Sequence, residues 1–352
     1  MTYFKYITHI FIVFLFFLFI SCQKYLEENP TVFASPSEIL TNEAGAELYT
    51  IGNYAQIKAI ASDWDGWLLM WGTIAADEIV IPNWGADIRS IYLHSFTTSN
   101  NAILNVWTTL YRSINRVNSG IQKIGAMTTD QIDENAKNKF IGEHKYLRAM
   151  LYFCLVSSWE NVPLVLNESQ SEDIGNFEVS QSSCKDVYES IIEDLLYAES
   201  VLSEEQGNGR ATKGAAQALL GKVYLQMTGP PLYETDKFSL AANKLSLVIN
   251  SGIYDLVAYY PDIFTLDFEQ SSEIVFSIGA DGPGLNQGSR IGTLFGPQGQ
   301  TINGGAAGNN WFTNLELAGP DSGFGGVDDS FFNGGRNNYC LLYTSPSPRD
   351  DR

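Results

Sequence analysis

The segment NAILNVWTTLYRSINRVNSGIQKIG (101–125) decides the fold class. Its apolar residues recur at alternating spacings of four and three, which places them on one continuous stripe of a helix. The stripe consists of Ile103, Trp107, Leu110, Ile114, Val117, Ile121 and Ile124. Ser99 or Asn100 is suited to cap the first turn. The pattern therefore predicts a helix over 100–125 that packs one face against other helices.

Similar patterns predict five more helices on both sides of this segment. They cover 36–60, 130–157, 185–203, 211–227 and 237–250. Pro36 lies in the first turn of the helix predicted over 36–60. Pro163 prevents the helix predicted over 130–157 from continuing beyond SWENVPLV (158–165). We expect the second helix to bury one face: Ala136, Phe140, Leu147, Leu151 and Cys154.

Small residues in the 211–227 segment indicate that a neighbouring helix approaches closely there: Gly214, Ala215, Ala216, Ala218 and Gly221. Antiparallel helix pairs with short turns and small contact residues are typical of tetratricopeptide-like stacks. The strict repeat consensus is absent. The sequence therefore predicts a mostly α protein: a tetratricopeptide-like superhelix of helical hairpins, decorated by irregular loops and short strands.

Other regions lack a helical period. A tryptophan-rich segment covers 62–96, a polar linker covers 167–183, and Gly- and Asn-rich loops dominate from about 256 to 339. SSEIVFSI (271–278) has the composition of a short strand. We expect residues 22–339 to form one helical domain whose last part is rich in loops.

The N-terminal 21 residues have the pattern of a lipoprotein signal peptide. Lys5 precedes an apolar run over 10–20, which is too short to span a bilayer as a helix. Ser21 and Cys22 follow in a loose lipobox, LFISC, so we expect Cys22 to be lipidated and the chain to be tethered to a membrane. An uncleaved membrane anchor is the alternative. Residues 340–352 have no link in composition to what precedes them, and we interpret them as a non-native tail.

Composition excludes several classes of function. The formal net charge of −19 repels phosphate backbones, so we expect no nucleic-acid partner. The sequence has four cysteines and three histidines, without metal-ligand spacing, and it lacks the common nucleotide-binding and hydrolase motifs. We therefore expect no metal and no cofactor, whereas catalysis by carboxylates stays open. Whether Cys154 and Cys184 form a disulfide is left open by the sequence.

Several stretches, in this order, resemble the SusD/RagB family of outer-membrane nutrient-binding lipoproteins. They are CQKYLEENP (22–30), WGTIAADEIVIPN (71–83), VWTTLYRSINRVNSGI (106–121), IGEHKYLRAMLYFCLVSSWENVPLV (141–165), DVYESIIEDLLYAESVL (186–202), GRATKGAAQALLGKVYLQ (209–226) and VINSGIYDL through SSEIVFSI (248–278). The chain departs from the family at His144, where a small residue is usual. It also lacks a match to the C-terminal part of the family.

This resemblance implies a surface-exposed, lipid-anchored protein of the outer membrane that carries out no catalysis. It would capture an oligosaccharide, or another nutrient such as a peptide, and deliver it to a SusC-like TonB-dependent transporter. A structural or adaptor lipoprotein that binds another envelope protein through its helical repeats is the alternative. A glycoside hydrolase, which needs two carboxylates at a defined separation, has no positive support in the sequence.

Candidate ligand-binding residues come from the irregular segments, because sugars bind to flat aromatic rings and to planar polar groups. Four of the seven tryptophans lie within 21 positions, and polar residues lie among them. The candidates are Trp64, Asp77, Asn83, Trp84, Arg89 and Trp311. We expect Trp67, Trp71, Trp107 and Trp159 to pack in or against the core. We expect His144 to be a hydrogen-bonded core histidine, and Glu143 and Arg148 to make polar contacts between helices.

Overall fold

A computed structural model describes residues 36–62, 67, 70–76, 85–169, 179–205, 209–264, 268, 270–278 and 339–340. Its α-helices are α1 (Pro36–Ile39), α2 (Glu43–Ser62), α3 (Ala86–Tyr92), α4 (Asn101–Gly125), α5 (Glu134–Trp159), α6 (Cys184–Val201), α7 (Lys213–Met227) and α8 (Lys237–Ile249). Short π- and 3₁₀-helical turns cover Met70–Ile74 and Tyr260–Phe264. Helix α1 belongs to a unit of residues 1–39, and the other described elements belong to the unit that follows.

Consecutive long helices pack as antiparallel neighbours in the order α4, α5, α6, α7 and α8. Helix α2 packs against α4 and α5. The connection from α4 to α5 is only eight residues long (126–133), which is typical of antiparallel helix pairs. The predicted tetratricopeptide-like stack of helical hairpins is confirmed.

The stripe on α4 faces the core as predicted. Leu110, Ile114 and Val117 are buried, whereas Trp107 and Ile121 are half-buried at its edge. Asn100 provides the cap, because its side chain accepts a hydrogen bond from the backbone N–H of Ile103 at 3.0 Å. The local pattern and the tertiary packing therefore agree along this helix.

Helix α5 is buried more completely than the sequence predicts. Between Phe140 and Val156 it buries residues all around its circumference, since α2 and α4 cover one side and α6 covers another. The prediction of a single apolar face was therefore too narrow. The helix also continues to Trp159 and ends at Glu160, whose backbone is left-handed with φ of 63°. Pro163 lies far enough downstream to leave these last residues helical.

Three other sequence predictions need correction. The helix predicted over 36–60 is interrupted, because the side chain of Asn42 accepts a hydrogen bond from the N–H of Gly45 and starts a new helix. The segment over 62–96 contains the short helix α3, which its composition did not predict. The strand predicted over 271–278 is reduced to Ser277–Ile278 (β1), which pairs antiparallel with Tyr339–Cys340 (β2).

Candidate functional site

The short helix α3 is fixed to the start of α4 by polar contacts. The side-chain amide of Asn100 donates to the carbonyl oxygen of Asp87 and to the hydroxyl of Ser90, both at 2.9 Å. The amide of Asn101 donates to the Asp87 carboxylate at 3.1 Å. The helix is preceded by Gly85, whose φ of 82° favours glycine. These contacts make α3 a rigid base for the side chains on its outer face.

Arg89 lies on the exposed side of α3. Its guanidinium forms no hydrogen bond or ion pair with the residues that the structure describes. An arginine presents five N–H donors in a planar arrangement. Arg89 is therefore available to bind hydroxyl or carboxylate oxygens of a ligand.

Five aromatic rings form a continuous cluster beside this region, which we name the aromatic ladder. It consists of Phe96, Trp71, Trp159, Trp107 and Tyr111, with successive ring centroids 6.2, 6.1, 5.2 and 4.8 Å apart. Three of these four pairs have the edge-to-face geometry that aromatic rings prefer, and the pair of Trp107 and Tyr111 is tilted by 47°. The ladder thus connects the irregular segment to the ends of α4 and α5.

The ladder is only partly covered by protein. Phe96 is 42% exposed, and the other four rings are half-buried. The Tyr111 hydroxyl donates to the carbonyl oxygen of Pro163 at 2.8 Å, which fixes the last ring. Flat rings that are held rigidly and partly exposed can pack against the C–H faces of a sugar.

The predicted packing of the tryptophans is confirmed in part. Trp67, Trp71, Trp107 and Trp159 all pack against the hydrophobic core, but each remains half-buried. The Trp67 indole N–H donates to the hydroxyl of Ser158 at 2.7 Å. The indole N–H of Trp71 is buried and has no hydrogen-bond partner among the described residues. These rings therefore anchor the irregular segment to α4 and α5.

Of the predicted site residues, Arg89 is the one that the structure describes. Trp64, Asp77, Asn83, Trp84, Trp311 and the lipidation candidate Cys22 lie outside the described residues. Sequence reasoning missed Phe96 and the amides of Asn100 and Asn101. An aromatic residue in the polar stretch HSFTTSN (94–100) was the available signal for Phe96.

His144 is a buried structural residue, as predicted. Its two ring nitrogens lie 2.8 Å from the Asn53 amide and from the carbonyl oxygen of Phe140. Burial lowers the pKa of His144 from about 6.5 to about 4, although the contact with Phe140 opposes this shift. The imidazole approaches α4 at Gly120, where an added Cβ atom would lie only 2.2 Å from the Nε2 atom.

Glu143 and Arg148 also hold helices together. The buried carboxylate of Glu143 accepts two hydrogen bonds from Arg210, at 2.6 and 2.8 Å, and one from the Tyr54 hydroxyl at 2.8 Å. Burial, reinforced by the charge of Glu143, raises the pKa of Tyr54 well above its usual value. These residues link α2, α5 and the start of α7, and none of them is free to bind a ligand.

Arg148 is at the centre of a second ionic cluster. Its guanidinium donates to both carboxylate oxygens of Asp194, at 2.7 and 2.9 Å, and also to Asn118 and to the Leu166 carbonyl oxygen. Lys145 adds a contact of 2.6 Å to Asp194. The predicted interhelical polar contacts of Glu143 and Arg148 are therefore confirmed.

Other kinds of site are not found in the part of the chain that the structure describes. Cys154 and Cys184 are free thiols. Within the described ranges, no three His, Cys, Asp or Glu side chains come together as a metal ion would require. No helix there has both the length and the apolar content needed to cross a membrane.

The family described as "Starch-binding associating with outer membrane" (SusD-like) matches residues 24–225, which is more than half of the chain. The chain therefore belongs to the SusD-like family. This agrees with the resemblance of the sequence motifs and with the helical-hairpin fold.

Individual relatives support the same assignment. SusD-like protein P25 of Formosa agariphila is 24% identical over 284 residues, covering 76% of this chain and 50% of the relative. A SusD-like protein of Bacteroides ovatus is 30% identical over 185 residues, covering 52% of this chain and 34% of the relative. The chain thus spans half or less of the length of these curated relatives.

Solved structures have the same fold. A SusD homolog from Bacteroides thetaiotaomicron is 26% identical, with a TM-score of 0.63 over 78% of this chain and 55% of that one. A laminarin-binding SusD-like protein is 24% identical, with a TM-score of 0.64 over 73% of this chain and 58% of that one. At this lower identity the likeness shows the fold alone.

Proposed function

We propose that this protein captures oligosaccharides at the cell surface and delivers them to a SusC-like TonB-dependent transporter in the outer membrane. Membership of a starch-binding, outer-membrane-associated family supports the ligand class and the location. The observation that carries the proposal on this chain is Arg89, which is exposed on helix α3 and has no partner among the described residues. It lies close in sequence to Phe96 of the aromatic ladder. No catalysis is proposed.

The proposed ligand site combines Arg89 with the predicted residues Trp64, Asp77, Asn83, Trp84 and Trp311. Arg89 would bind ring hydroxyls, the tryptophans would stack on sugar faces, and Asp77 and Asn83 would accept or donate further hydrogen bonds. A peptide nutrient is the competing ligand class, because a guanidinium also binds carboxylates.

Isothermal titration with starch and laminarin oligosaccharides tests this site. Arg89→Ala is expected to weaken binding about tenfold, which corresponds to the loss of one charge-assisted hydrogen bond. Arg112→Ala removes another exposed arginine, on α4, and serves as the matched control. Equal affinities for the wild-type protein and Arg89→Ala would remove Arg89 from the site. Binding of peptides alone would change the ligand class.

The proposed location depends on the N-terminus. We propose that residues 1–21 are removed as a signal peptide, that Cys22 is lipidated, that 22–339 forms the binding domain, and that 340–352 is a non-native tail. Cys22→Ala should move the protein from the membrane fraction to the soluble fraction of the cell envelope. Protein that stays in the membrane fraction after this substitution would contradict lipidation and favour an uncleaved anchor.

A specific observation also favours the alternative of an adaptor. Leu48 and Ile51 lie three residues apart on α2 and are 65% and 45% exposed. Exposed apolar residues on one helix face can bind another protein. Co-purification from cross-linked cells separates the two functions. A TonB-dependent transporter as the partner supports nutrient uptake, and a different envelope protein without any glycan binding supports an adaptor.

A further inference from the structure

Helices α7 and α8 approach closely at one end of their contact and leave a cleft at the other. At Gly221, an added Cβ atom would lie 2.6 Å from the Leu245 side chain on α8. At Gly214, two turns earlier, the nearest neighbour is the Tyr254 ring, which follows α8. Tyr254 therefore lies beside the part of α7 that α8 no longer covers. The Tyr254 ring forms one wall of a cleft of ≈ 380 Å³.

Polar side chains on α8 and at its C-terminal cap also line the cleft. Asn243, Ser246 and Asn250 are spaced by three and four residues, so they lie on one face of the helix. All three are exposed, and none of their side chains forms a hydrogen bond with the described residues. Two amides and a hydroxyl therefore point at the same cleft, ready to donate and accept hydrogen bonds.

The turn after α8 fixes the aromatic wall. The Ser251 hydroxyl donates to the carbonyl oxygen of Val248 at 2.8 Å and accepts from the N–H of Ile253 at 3.2 Å. Gly252 provides the left-handed backbone with φ of 72° that reverses the chain. The Tyr254 hydroxyl then meets the Thr212 hydroxyl at 3.1 Å, at the start of α7. The wall is thus held at both ends.

The charges at the cleft are already neutralised. The two charged lining residues, Lys213 and Glu204, pair with each other at 2.5 Å. The amide of Gln217 is uncharged and donates to Glu199, outside the cleft, at 3.1 Å. A charged ligand would find no free counter-charge among the described lining residues. The volume lies at the lower end of the range of about 300–1,000 Å³ for small-molecule sites, which suits one or two sugar rings.

We propose that this cleft is a second binding site that takes a neutral mono- or disaccharide. Its rings would lie against Tyr254, and its hydroxyls would bind to Asn243, Ser246 and Asn250. The site shares no residue with the Arg89 site, so it does not depend on the function proposed there.

Saturation-transfer NMR and isothermal titration of the full chain with maltose and with cellobiose test this site. The test variant is the double substitution Asn243→Ala/Asn250→Ala, which removes two exposed amides without breaking a described hydrogen bond. The matched control is Asn135→Ala, an exposed asparagine near the start of α5. Circular dichroism of each variant checks that the helices are retained.

We expect the double variant to lose at least tenfold in affinity for one of the two disaccharides, while Asn135→Ala retains it. Binding lost in Arg89→Ala but kept in the double variant would overturn the cleft proposal and leave the Arg89 site intact. Absence of maltose and cellobiose binding to the wild-type protein would also overturn it. If the double variant loses helical structure, Ser246→Tyr, which fills the cleft from an exposed position, repeats the test with the same expected loss.

Discussion

Arg148 and Arg89 are the same residue type in two opposite environments. Arg148 is 5% exposed and donates hydrogen bonds to Asp194, Asn118 and the Leu166 carbonyl oxygen. Arg89 is exposed on α3 and has no partner among the described residues. The first is fixed by three separate segments of the chain, and the second is left for solvent or for a ligand.

The difference follows from the free energy of desolvation. A buried charge loses several kcal/mol of hydration, so it persists only where the protein supplies an opposite charge and further hydrogen bonds. An exposed charge keeps its water and needs no partner in the protein. Buried arginines therefore indicate structure, and exposed unpaired ones on a fixed base indicate a surface for binding.

The strongest test of the buried cluster is Asp194→Ala. This change leaves Arg148 and Lys145 without their carboxylate, and we expect it to lower the free energy of unfolding by about 3–5 kcal/mol. Chemical denaturation measures the loss. Glu189→Ala on the same helix is the control, because its pair with Lys185 is 3.9 Å long and more than half exposed at both ends. The Glu189→Ala change should lower the free energy of unfolding by less than about 1 kcal/mol.

A second variant separates charge from packing in the same cluster. Replacing both partners, as in Arg148→Met/Asp194→Leu, should recover much of the stability lost in Asp194→Ala, since no buried guanidinium then remains. If Asp194→Ala proved no more harmful than Glu189→Ala, the contrast between buried and exposed charges would fail for this protein.

The buried imidazole of His144 predicts a dependence of stability on pH. Its pKa is about 4 in the folded protein and about 6.5 when unfolded, so the unfolded state binds more protons between these values. Stability from this group is complete above pH 6.5 and falls as the pH drops towards 4, by about 3 kcal/mol in all. In His144→Gln, the free energy of unfolding should change less over this range. Identical pH profiles for the two proteins would show that His144 is not held neutral.

The helical stack was predictable because its signals are local. The alternating spacing on α4 and the small residues at Gly214 and Gly221 each specify a contact through their own sequence neighbourhood. The full burial of α5 was not predictable in this way. Polar residues such as Glu143 and His144 interrupt its apolar pattern, and they become buried only because Arg210 and Asn53, distant in sequence, satisfy them.

The candidate site was less accessible to sequence reasoning. Tryptophans in an irregular segment indicate either packing or binding, and the ladder shows that Trp71 and Trp107 combine a packed side with a partly exposed one. Helix α3 is short, and the side chains of Asn100 and Asn101 fix it from outside. Contacts of this kind have no periodic signature, so the base that presents Arg89 became visible only in three dimensions.

A further test concerns the close packing of the His144 imidazole against Gly120 on α4. Gly120→Ala would place a Cβ atom 2.2 Å from the His144 ring, and we expect a loss of about 1–3 kcal/mol in the free energy of unfolding. Gly125→Ala on the same helix is the control, because the added Cβ atom would lie 4.0 Å from the Ile141 side chain, its nearest neighbour among the described residues. That change should stabilise the helix by about 0.5–1 kcal/mol. A neutral Gly120→Ala would mean that His144 can move away without loss.

The smallest change in stability is expected for Arg89→Ala. Since the described residues offer its guanidinium no partner, its removal should alter the free energy of unfolding by no more than about 0.5 kcal/mol, while oligosaccharide affinity falls. Denaturation and titration of the same sample measure both effects. A loss of more than about 2 kcal/mol would show that Arg89 is paired within the protein, as Arg148 is. The two arginines would then no longer mark different roles, and the proposed ligand site would lose its one described member.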